Sequence, residues 1–318
     1  MAFFKELYDA YRQGLNINKY IQQKNNLSSD SKISSLEAIS YSYDLQAGSY
    51  TRSFYKDYER SKKFVEYIIK HIEDLDLFKI LNKKSNELTI CDFGTGEATN
   101  YSLLINSFQK KGFDVMPFGM DISLSRLSIA MHLLSIECQN KNSSFFLGDL
   151  TSIPLAENSL DVSFTMHAIE PNLGKEEIIL NELIRVTRNF IVLAEPIYET
   201  ATKEQATRMR EFNYIKNLKT KLYENNLVEV IHDSLFPIEL VSNPKNRTTL
   251  LIAKKKQTHY LDLNQSKNIY NCPIEKINLT KTNNFWISKL GSCYPEINSI
   301  PILLSSKALP YYHAIKLI

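Results

Sequence analysis

The segment Asp92-Phe-Gly94-Thr-Gly96-Glu-Ala98 contains the residues best suited to hold a ligand, because it lies between a predicted strand and a predicted helix. Glycines at such a turn let the backbone bend sharply and let a ligand lie against it, where side chains would block its approach. Tight turns without a ligand use the same residues, so the glycines alone leave both interpretations open.

Two further carboxylates follow the next two predicted strands and favour a ligand site. Asp121 ends the second strand, where an acidic side chain can accept hydrogen bonds from both hydroxyls of a ribose. Asp149 ends the third strand, where a carboxylate can accept a hydrogen bond from the exocyclic amine of adenine. Because the carboxyl ends of parallel strands form one crevice, we expect Asp92, Asp121 and Asp149 to converge there.

Short apolar runs alternate with helical patterns after residue 87, which predicts an α/β, doubly wound, mostly parallel sheet. A last pair of apolar runs predicts a terminal antiparallel pair and a sheet of about seven strands. The predicted strands are Leu88–Phe93, Val115–Ile122, Ser144–Leu147, Leu160–Met166, Phe190–Ala194, Leu227–Ile231 and Thr248–Ala253, and the helices between the first five are Thr99–Lys110, Ser125–Glu137 and Glu176–Arg185.

The predicted organisation has three parts. Residues 1–84 are aromatic and polar with helical periodicity, which predicts a helical N-terminal cap or lid. Residues 85–257 contain the sheet, and residues 258–318 form a small β-rich appendage with the only tryptophan, Trp286.

Four segments together resemble the class I S-adenosylmethionine-dependent methyltransferases, in the branch that acts mostly on small molecules. The resemblance covers roughly residues 85–255 and implies a Rossmann-like fold with S-adenosylmethionine as cofactor. The segments are CDFGTGEA (91–98), GMDIS (119–123), GDLTSIPLAENSLDVSFTMHAIEP (148–171) and NELIRVTRNFIVLAEP (181–196).

The resemblance also implies a role for each position of the cofactor site. The methionine moiety would lie against Asp92, Gly94 and Gly96, the ribose against Asp121 and the adenine against Asp149, while Leu150 and His167 would border the sulfonium. The predicted cofactor-binding set is completed by Thr95 and Ile122. Ala98 replaces the third glycine of the family pattern, a change that the family often tolerates. Thr99 occupies the last glycine position of a dinucleotide-binding turn, which disfavours NAD.

An aromatic segment upstream resembles the entrance segment that many small-molecule methyltransferases fold over the cofactor. Within it, Tyr43, Gln46 and Tyr50 are the candidate lid residues that would contact the cofactor. Ordinary helix packing is the alternative for each of them.

Methyl transfer is an in-line displacement, so the protein mainly aligns the acceptor, and a base is needed only if the acceptor loses a proton of high pKa. The candidate catalytic residues are His167, Glu170 and Glu195. His167 has a suitable pKa as a general base but is equally explained as a hydrogen-bonded wall residue. Glu170 and Glu195 each precede a proline, and capping or salt bridging is the alternative for both.

The acceptor is expected to be a small molecule with an oxygen or a similar nucleophile. The chain lacks the Asn/Asp-Pro-Pro-Tyr/Phe motif that amide- and base-methylating relatives carry, and Thr165–Asn172 takes its place. Tyr198, Arg208 and Tyr214 are the candidate substrate-binding residues, and Arg52, Arg60 and Arg210 are further cations that could line the pocket of an acidic acceptor; charged solvated faces are the alternative.

The C-terminal segment has a resemblance of its own, to the short zinc-ribbon family that includes the activating subunit of several tRNA, rRNA and release-factor methyltransferases. Its residues are Asn271-Cys272-Pro-Ile-Glu275, Phe285, Trp286, Tyr294-Pro295 and Ile300–Leu304. Only Cys272 remains of the two Cys-x-x-Cys pairs, and one thiolate cannot hold a structural zinc. The expectation is a degenerate module that binds no metal and packs on the catalytic domain.

Composition limits the remaining possibilities. The 318 residues are 43% apolar and 23% charged, which predicts a globular chain of roughly two domains at about 150 residues each. A net charge of +3 makes nucleic acid an unlikely partner. Four separated cysteines and the lack of a long apolar run predict a cytoplasmic protein without a membrane span. Its oligomeric state stays open, as do two rival functions: a methyltransferase acting on RNA or protein, and a catalytically silent cofactor-binding scaffold.

Overall fold

The computed structural model describes residues 2–27, 35–82, 87–138, 143–241, 243, 245–256 and 269–311. The two predicted domain boundaries, after residues 84 and 257, lie outside the described residues.

Seven strands of the described chain form one sheet in the order β3-β2-β1-β4-β5-β7-β6, which confirms the predicted mostly parallel sheet. Only β7 runs antiparallel to its neighbours, β5 and β6. The strands are β1 (Glu87–Phe93), β2 (Asp114–Asp121), β3 (Ser144–Leu147), β4 (Leu160–Met166), β5 (Thr187–Pro196), β6 (Val228–Leu235) and β7 (Thr248–Lys255).

Helices cover both faces of the sheet, and the helices that follow β1, β2 and β4 lie close to the predicted bounds. They are α7 (Thr99–Lys110), α8 (Leu124–Glu137), α9 (Glu176–Val186), α10 (Lys203–Glu211) and α11 (Leu218–Glu224). Apolar side chains of α7 and α8 pack on one face and those of α9 and α11 on the other. Burial from both sides explains why β4 and β5 are nearly continuous apolar runs rather than alternating ones.

Six helices of the described chain precede the sheet: α1 (Ala2–Arg12), α2 (Ile17–Leu27), α3 (Ser35–Leu45), α4 (Ser49–Lys56), α5 (Tyr58–Asp74) and α6 (Leu77–Asn82). Phe64, Val65 and Ile68 of α5 join the core beneath α7. The first three helices share a separate small apolar cluster around Leu7 and Ile21. The N-terminal part is therefore helical, as the periodicity predicts, and α5 fixes it to the sheet.

The C-terminal segment forms a second, antiparallel sheet that packs on the outer strand of the first. Its strands are β8 (Leu279–Thr282), β9 (Phe285–Ser288), β10 (Ser292–Ile297), β11 (Ile300–Pro301) and β12 (Leu309–Pro310). Just after β11, the backbone N–H of Leu303 donates to the carbonyl of Leu147 on β3 at 2.9 Å. Ile302 and Leu147 form a parallel bridge at the same point, so the segment covers the edge of β3 that does not pair with β2.

Aromatic side chains complete this contact. Trp286 packs edge-on against Tyr270, with ring centroids 4.9 Å apart, and Tyr270 packs against Phe146 of β3 at 5.3 Å. Cys272 is fully buried, and its Sγ lies 3.2 Å from the hydroxyl of Tyr294. Within the described ranges, no three His, Cys, Asp or Glu side chains are grouped to hold a metal ion. The C-terminal segment thus packs on the large sheet, as expected, while its relationship to zinc ribbons stays a prediction.

Leu303→Ala tests whether this second sheet folds as one unit with the first. Leu303 is fully buried between the two sheets, so we expect the free energy of unfolding in urea to fall by about 2–5 kcal/mol. Leu290→Ala is the matched control, because Leu290 is 57% exposed and its truncation should cost less than about 0.5 kcal/mol. Equal stabilities of the two variants would show that the second sheet is not part of the cooperative unit.

Candidate functional site

A cavity of about 290 Å³ opens at the carboxyl ends of β1, β2 and β4, beneath α3, α4 and α5. Eleven of the twelve predicted cofactor-binding residues line it: Tyr43, Tyr50, Asp92, Gly94, Thr95, Gly96, Asp121, Ile122, Asp149, Leu150 and His167. Gln46 is the exception, since it does not line the cavity and its amide Nε2 donates to the carbonyl of Ser42 at 2.9 Å. The amide of Gln46 thus turns back onto its own chain, and its contact with the cofactor stays a prediction.

The glycine turn packs against the loop that follows β4. Gly94 has φ of +75°, and its N–H and that of Thr95 donate to the carbonyl of Met120 at 2.7 and 3.0 Å. A Cβ at Gly94 would lie 2.3 Å from the Cβ of Ala168. Glycine is thus required at this position for backbone conformation and for close packing.

The alanine in the third glycine position adopts the conformation that a glycine would take. Ala98 has φ of +58°, is fully buried, and directly precedes α7. The left-handed conformation costs an alanine about 1–2 kcal/mol, which a well-packed core can offset. The substitution leaves the shape of the turn intact.

Asp121 connects the glycine turn to the start of α8. Its Oδ2 accepts from the N–H of Gly96 at 2.8 Å, and its Oδ1 accepts from the N–H of Ser123 at 2.9 Å. Burial raises the pKa of Asp121, although the charge of Arg126 and the backbone hydrogen bonds oppose the rise. The carboxylate therefore holds the turn in place while it borders the cavity.

Asp92 and Thr95 each carry a buried polar atom without a hydrogen-bond partner of normal geometry within the described chain: Asp92 Oδ1 and Thr95 Oγ1. Burial raises the pKa of Asp92 well above its usual range; the side chain of Thr95 opposes the rise, and the nearby carboxylates of Asp121 and Glu195 add to it. Buried polar atoms without a partner are costly, so this part of the cavity favours a ligand with hydrogen-bond donors and positive charge.

Asp149 reaches the cavity from the end of β3. Its Oδ1 accepts from the N–H of Thr151 at 2.9 Å, and the side chain is half-buried. Asp92, Asp121 and Asp149 thus border one cavity, in agreement with the expected convergence.

Glu97, which the sequence did not single out, fastens the N-terminal helices over the turn. Its carboxylate is 2% exposed and accepts from the backbone N–H of Gly48 at 2.9 Å and of Thr51 at 2.6 Å. The hydroxyl of Thr51 donates to the same carboxylate. These donors lie at the N-terminus of α4, where a negative charge is stabilised by the helix dipole.

A second set of contacts fastens α3 beside the first. Asp44 Oδ1 accepts from the hydroxyl of Ser123 at 2.6 Å and from the N–H of Ser125 at 3.0 Å, at the start of α8. The hydroxyl of Ser40 donates to the carbonyl of Ile122 at 3.0 Å. We call the segment 40–51, held by these contacts and by Glu97, the cover.

Arg126 lies between the glycine turn and the two tyrosines of the cover. Its guanidinium carbon is 4.1 Å from the ring centroid of Tyr50 and 5.0 Å from that of Tyr43. Its Nε is 3.9 Å from Glu97 and has no hydrogen-bond partner within the described ranges. Cation–π contacts of this kind contribute about 0.5–2 kcal/mol, so Arg126 helps to hold the cover. The motifs alone give no signal for this residue, because an arginine in a first helical turn usually faces solvent.

His167 borders the cavity with both ring nitrogens engaged. Nδ1 lies 2.8 Å from Glu170 Oε1, and Nε2 lies 2.8 Å from the hydroxyl of Thr248 on β7. Burial lowers the pKa of His167, but the hydrogen bond and charge of Glu170, together with Glu195, outweigh it and raise the pKa overall. This geometry favours a hydrogen-bonded wall residue over a general base.

Glu170 and Glu195 do not line the cavity, so the structure does not bring these two predicted residues to its wall, and their catalytic role stays a prediction. Glu195 is fully buried, and its Oε1 accepts from the N–H of Ala168 at 2.9 Å. Burial raises the pKa of Glu195 to about 7, against the lowering effect of His167. Glu195 thus bonds to the loop after β4 from outside the cavity. Glu170, which belongs to that loop, orients the imidazole of His167.

Tyr198, Arg208 and Tyr214 do not line the cavity either. The hydroxyl of Tyr198 accepts from Arg210 Nη1 at 2.9 Å. The guanidinium of Arg208 bonds to Asn246 and lies 5.6 Å from the ring centroid of Tyr214. Tyr198 thus pairs with Arg210, and Arg208 with Asn246 and Tyr214; the structure does not bring these three residues to the cavity, and their role in binding substrate stays a prediction. Of the cations considered for the acceptor, Arg60 does line the cavity.

No protein-family model matches the chain. Over 159 residues it is 23% identical to ajmaline N-methyltransferase of Rauvolfia serpentina, and this match covers 45% of the chain and 54% of that enzyme. The chain thus spans about half the length of the curated relative that it matches.

Solved structures that resemble the chain include magnesium protoporphyrin IX methyltransferase of Synechocystis PCC 6803 with bound SAH. It has 10% identity and a TM-score of 0.46, over 79% of this chain and 99% of that chain. Geranyl diphosphate C-methyltransferase of Streptomyces coelicolor A3(2), in complex with Mg²⁺, geranyl diphosphate and S-adenosyl-L-homocysteine, has 9% identity and a TM-score of 0.46, over 60% and 76% of the two chains. The names of these proteins share methyl transfer and differ in the acceptor.

Gly94→Ala tests the contact between the glycine turn and the loop after β4. The control is Gly174→Ala, because Gly174 has φ of +80° and no atom within 4 Å of the added Cβ. Both variants carry the same backbone strain, so we expect Gly94→Ala to lose about 1–3 kcal/mol more of the free energy of unfolding, through overpacking against Ala168. Urea titrations measure the difference, and equal losses would mean that the close contact has no energetic weight.

Glu97→Gln tests how the cover is held. The substitution keeps the shape and removes the charge, so we expect the amides of Gly48 and Thr51 to exchange with deuterium about tenfold faster or more, because each loses a charge-assisted hydrogen bond. Glu59→Gln, at an exposed position of α5, is the control. Unchanged protection of both amides, measured by NMR, would show that Glu97 does not hold the cover.

Proposed function

We propose that this chain is an S-adenosylmethionine-dependent methyltransferase that acts on a small-molecule acceptor. The observation that carries the proposal is the convergence of the glycine turn, Asp121 and Asp149 on one cavity, where burial raises the pKa of Asp92 and of Asp121 and a cationic ligand would favour their charged forms. The similarity to ajmaline N-methyltransferase over 159 residues supports it.

The residues present fit this cofactor. Asp92 and Thr95, whose buried oxygens lack a partner of normal geometry within the described chain, would accept from the ammonium of the amino-acid end. Asp121 would accept from the ribose hydroxyls and Asp149 from the adenine amine, while Leu150 and His167 border the sulfonium. The cofactor supplies a methyl group already activated by its positive sulfur. The protein aligns an acceptor with that methyl group and excludes water.

The cover gives residues 40–51 a function in this scheme. With Glu97, Asp44 and Arg126 holding it, it closes the cavity above the glycine turn. Tyr43 and Tyr50 line the cavity from above, so we propose that the helical segment 1–84 acts as a lid on the sheet-containing domain 85–257. Segment 258–318 is then a β-rich appendage that secures β3.

A small acceptor fits this arrangement better than a macromolecule. The cavity is covered by helices and holds about 290 Å³, and a nucleic acid would need a basic surface that a net charge of +3 does not provide. We also propose a cytoplasmic location, where four buried and unpaired cysteines stay reduced. No described helix is both long and apolar enough to cross a bilayer.

Asp121→Asn tests the cofactor assignment. We expect the affinity for S-adenosylhomocysteine, measured by calorimetry, to fall by about 1–3 kcal/mol, because the carboxylate loses its charge-assisted bonds to the ribose. The control is Asp114→Asn, at the exposed start of β2. If wild-type protein failed to bind S-adenosylhomocysteine, or if both variants bound it like wild type, the proposed function would be wrong.

A further inference from the structure

Resting on the proposed function, we propose that the acceptor is a carboxylic acid with an apolar body. Its carboxylate oxygen is methylated to give a methyl ester, and Arg60 positions the acid. Two independent features of the cavity lead to this substrate class: the wall opposite the cofactor edge, and the lack of a free base beside His167.

The wall comes from α5 and from the segment before β7. Arg60 and Phe64 are four residues apart on α5 and both line the cavity, as neighbours on one helix face do. Leu240 and Val241, in a segment that packs against α5, also line it, and Pro171 lies at the loop after β4. Phe64 stacks on Phe236 and its ring centroid lies 6.4 Å from that of His167. Among the described residues, this wall offers an acceptor apolar surface, the polar side chains of Ser61 and Asn172, and one cation, Arg60.

Arg60 has hydrogen-bonding capacity to spare. Its Nε pairs with Asp57 at 3.0 Å, one turn back on the exposed side of the helix, and the side chain of Asp57 is 50% exposed. A guanidinium has five N–H donors in a planar fork that matches a carboxylate. The solvated Asp57 therefore uses only part of the positive charge that Arg60 brings to the cavity.

Among the described residues that line the cavity, no titratable group is free to remove a proton from the acceptor. Both nitrogens of His167 are held, by Glu170 and Thr248, and neither Glu170 nor Glu195 lines the cavity. The carboxylates that do line it, Asp92, Glu97, Asp121 and Asp149, belong to the cofactor edge and its cover. Burial raises the pKa of Tyr43, so its phenol stays neutral.

An acceptor that is already ionised needs no base. A carboxylic acid has a pKa of about 4 and is deprotonated at neutral pH, whereas an alkyl amine, at about 10, is protonated and an alcohol is neutral. The carboxylate oxygen attacks the methyl carbon, the O–C bond forms and the C–S bond breaks. The bonding electron pair remains on sulfur, and no proton moves. The negative charge of the acid is lost in the product ester, which weakens its attraction to Arg60.

The test compares matched acceptors that differ only in the reacting group: octanoate with octanol and octylamine, and cinnamate with cinnamyl alcohol. Wild-type protein is incubated with methyl-labelled S-adenosylmethionine, and the label released as methanol by mild base measures methyl ester. We expect ester from at least one acid, about tenfold more product from it than from its alcohol or amine, and a rate that does not rise from pH 6 to pH 9.

Arg60→Gln should lower kcat/KM for that acid by about tenfold or more, and Arg60→Lys should recover part of the loss. Arg52→Gln, an exposed arginine on α4 outside the cavity, should behave like wild type. Preference for an alcohol or an amine, no ester from either acid, or equal behaviour of the Arg60 and Arg52 variants would overturn the proposal. Binding of S-adenosylhomocysteine, measured in the same preparations, separates this outcome from failure of the proposed function.

Discussion

The structure depends on how buried carboxylates at one edge of the sheet are satisfied. An ionised group removed from water needs charged or hydrogen-bonding partners, and here the partners are mostly backbone N–H groups. Asp121 takes those of Gly96 and Ser123, Glu97 those of Gly48 and Thr51, and Glu195 that of Ala168. Each carboxylate thereby fixes a different loop, and the loops together form the cavity. Asp92 keeps one oxygen unpaired, and so leaves the position that a cationic ligand would fill.

The sequence predicted the sheet edge well and the side chains around it less well, for a physical reason. Strand ends, turns and their glycines follow from local patterns, so Asp92, Asp121 and Asp149 were assigned to one crevice correctly. Where a side chain points depends on neighbours that are distant in sequence. Glu195 turns back to the amide of Ala168, and Arg208 pairs with Asn246, neither of which a strand or helix pattern reveals. Sequence patterns did not reveal Glu97 and Arg126, because their partners lie in α3 and α4. Those helices are distant in sequence from the glycine turn, which contains Glu97 and lies beside Arg126.

The C-terminal sheet affects the same edge from outside. β3 has four residues and is the outer strand of the large sheet, so by itself it would be paired on one side only. The hydrogen bond from Leu303 to Leu147 and the packing of Tyr270 on Phe146 supply the missing neighbour. Asp149 follows β3 by two residues, and its position therefore depends on a segment that contributes nothing to the cavity lining. The second sheet therefore has a structural role, which is to cover the outer edge of β3.

The two sides of the cavity come from different parts of the chain. Under the proposed function, one side binds the cofactor and the other side selects the acceptor. The cofactor edge is formed by strand ends whose geometry is fixed by the parallel sheet. The opposite wall is formed by α5 and by Leu240 and Val241, which lie outside the sheet. Under the proposed function, substitutions on that wall would change the acceptor and leave the carboxylates of the edge in place. In this chain the wall provides a cation and apolar surface. His167 is held at both nitrogens, so under the proposed scheme the acceptor must already be ionised when it binds.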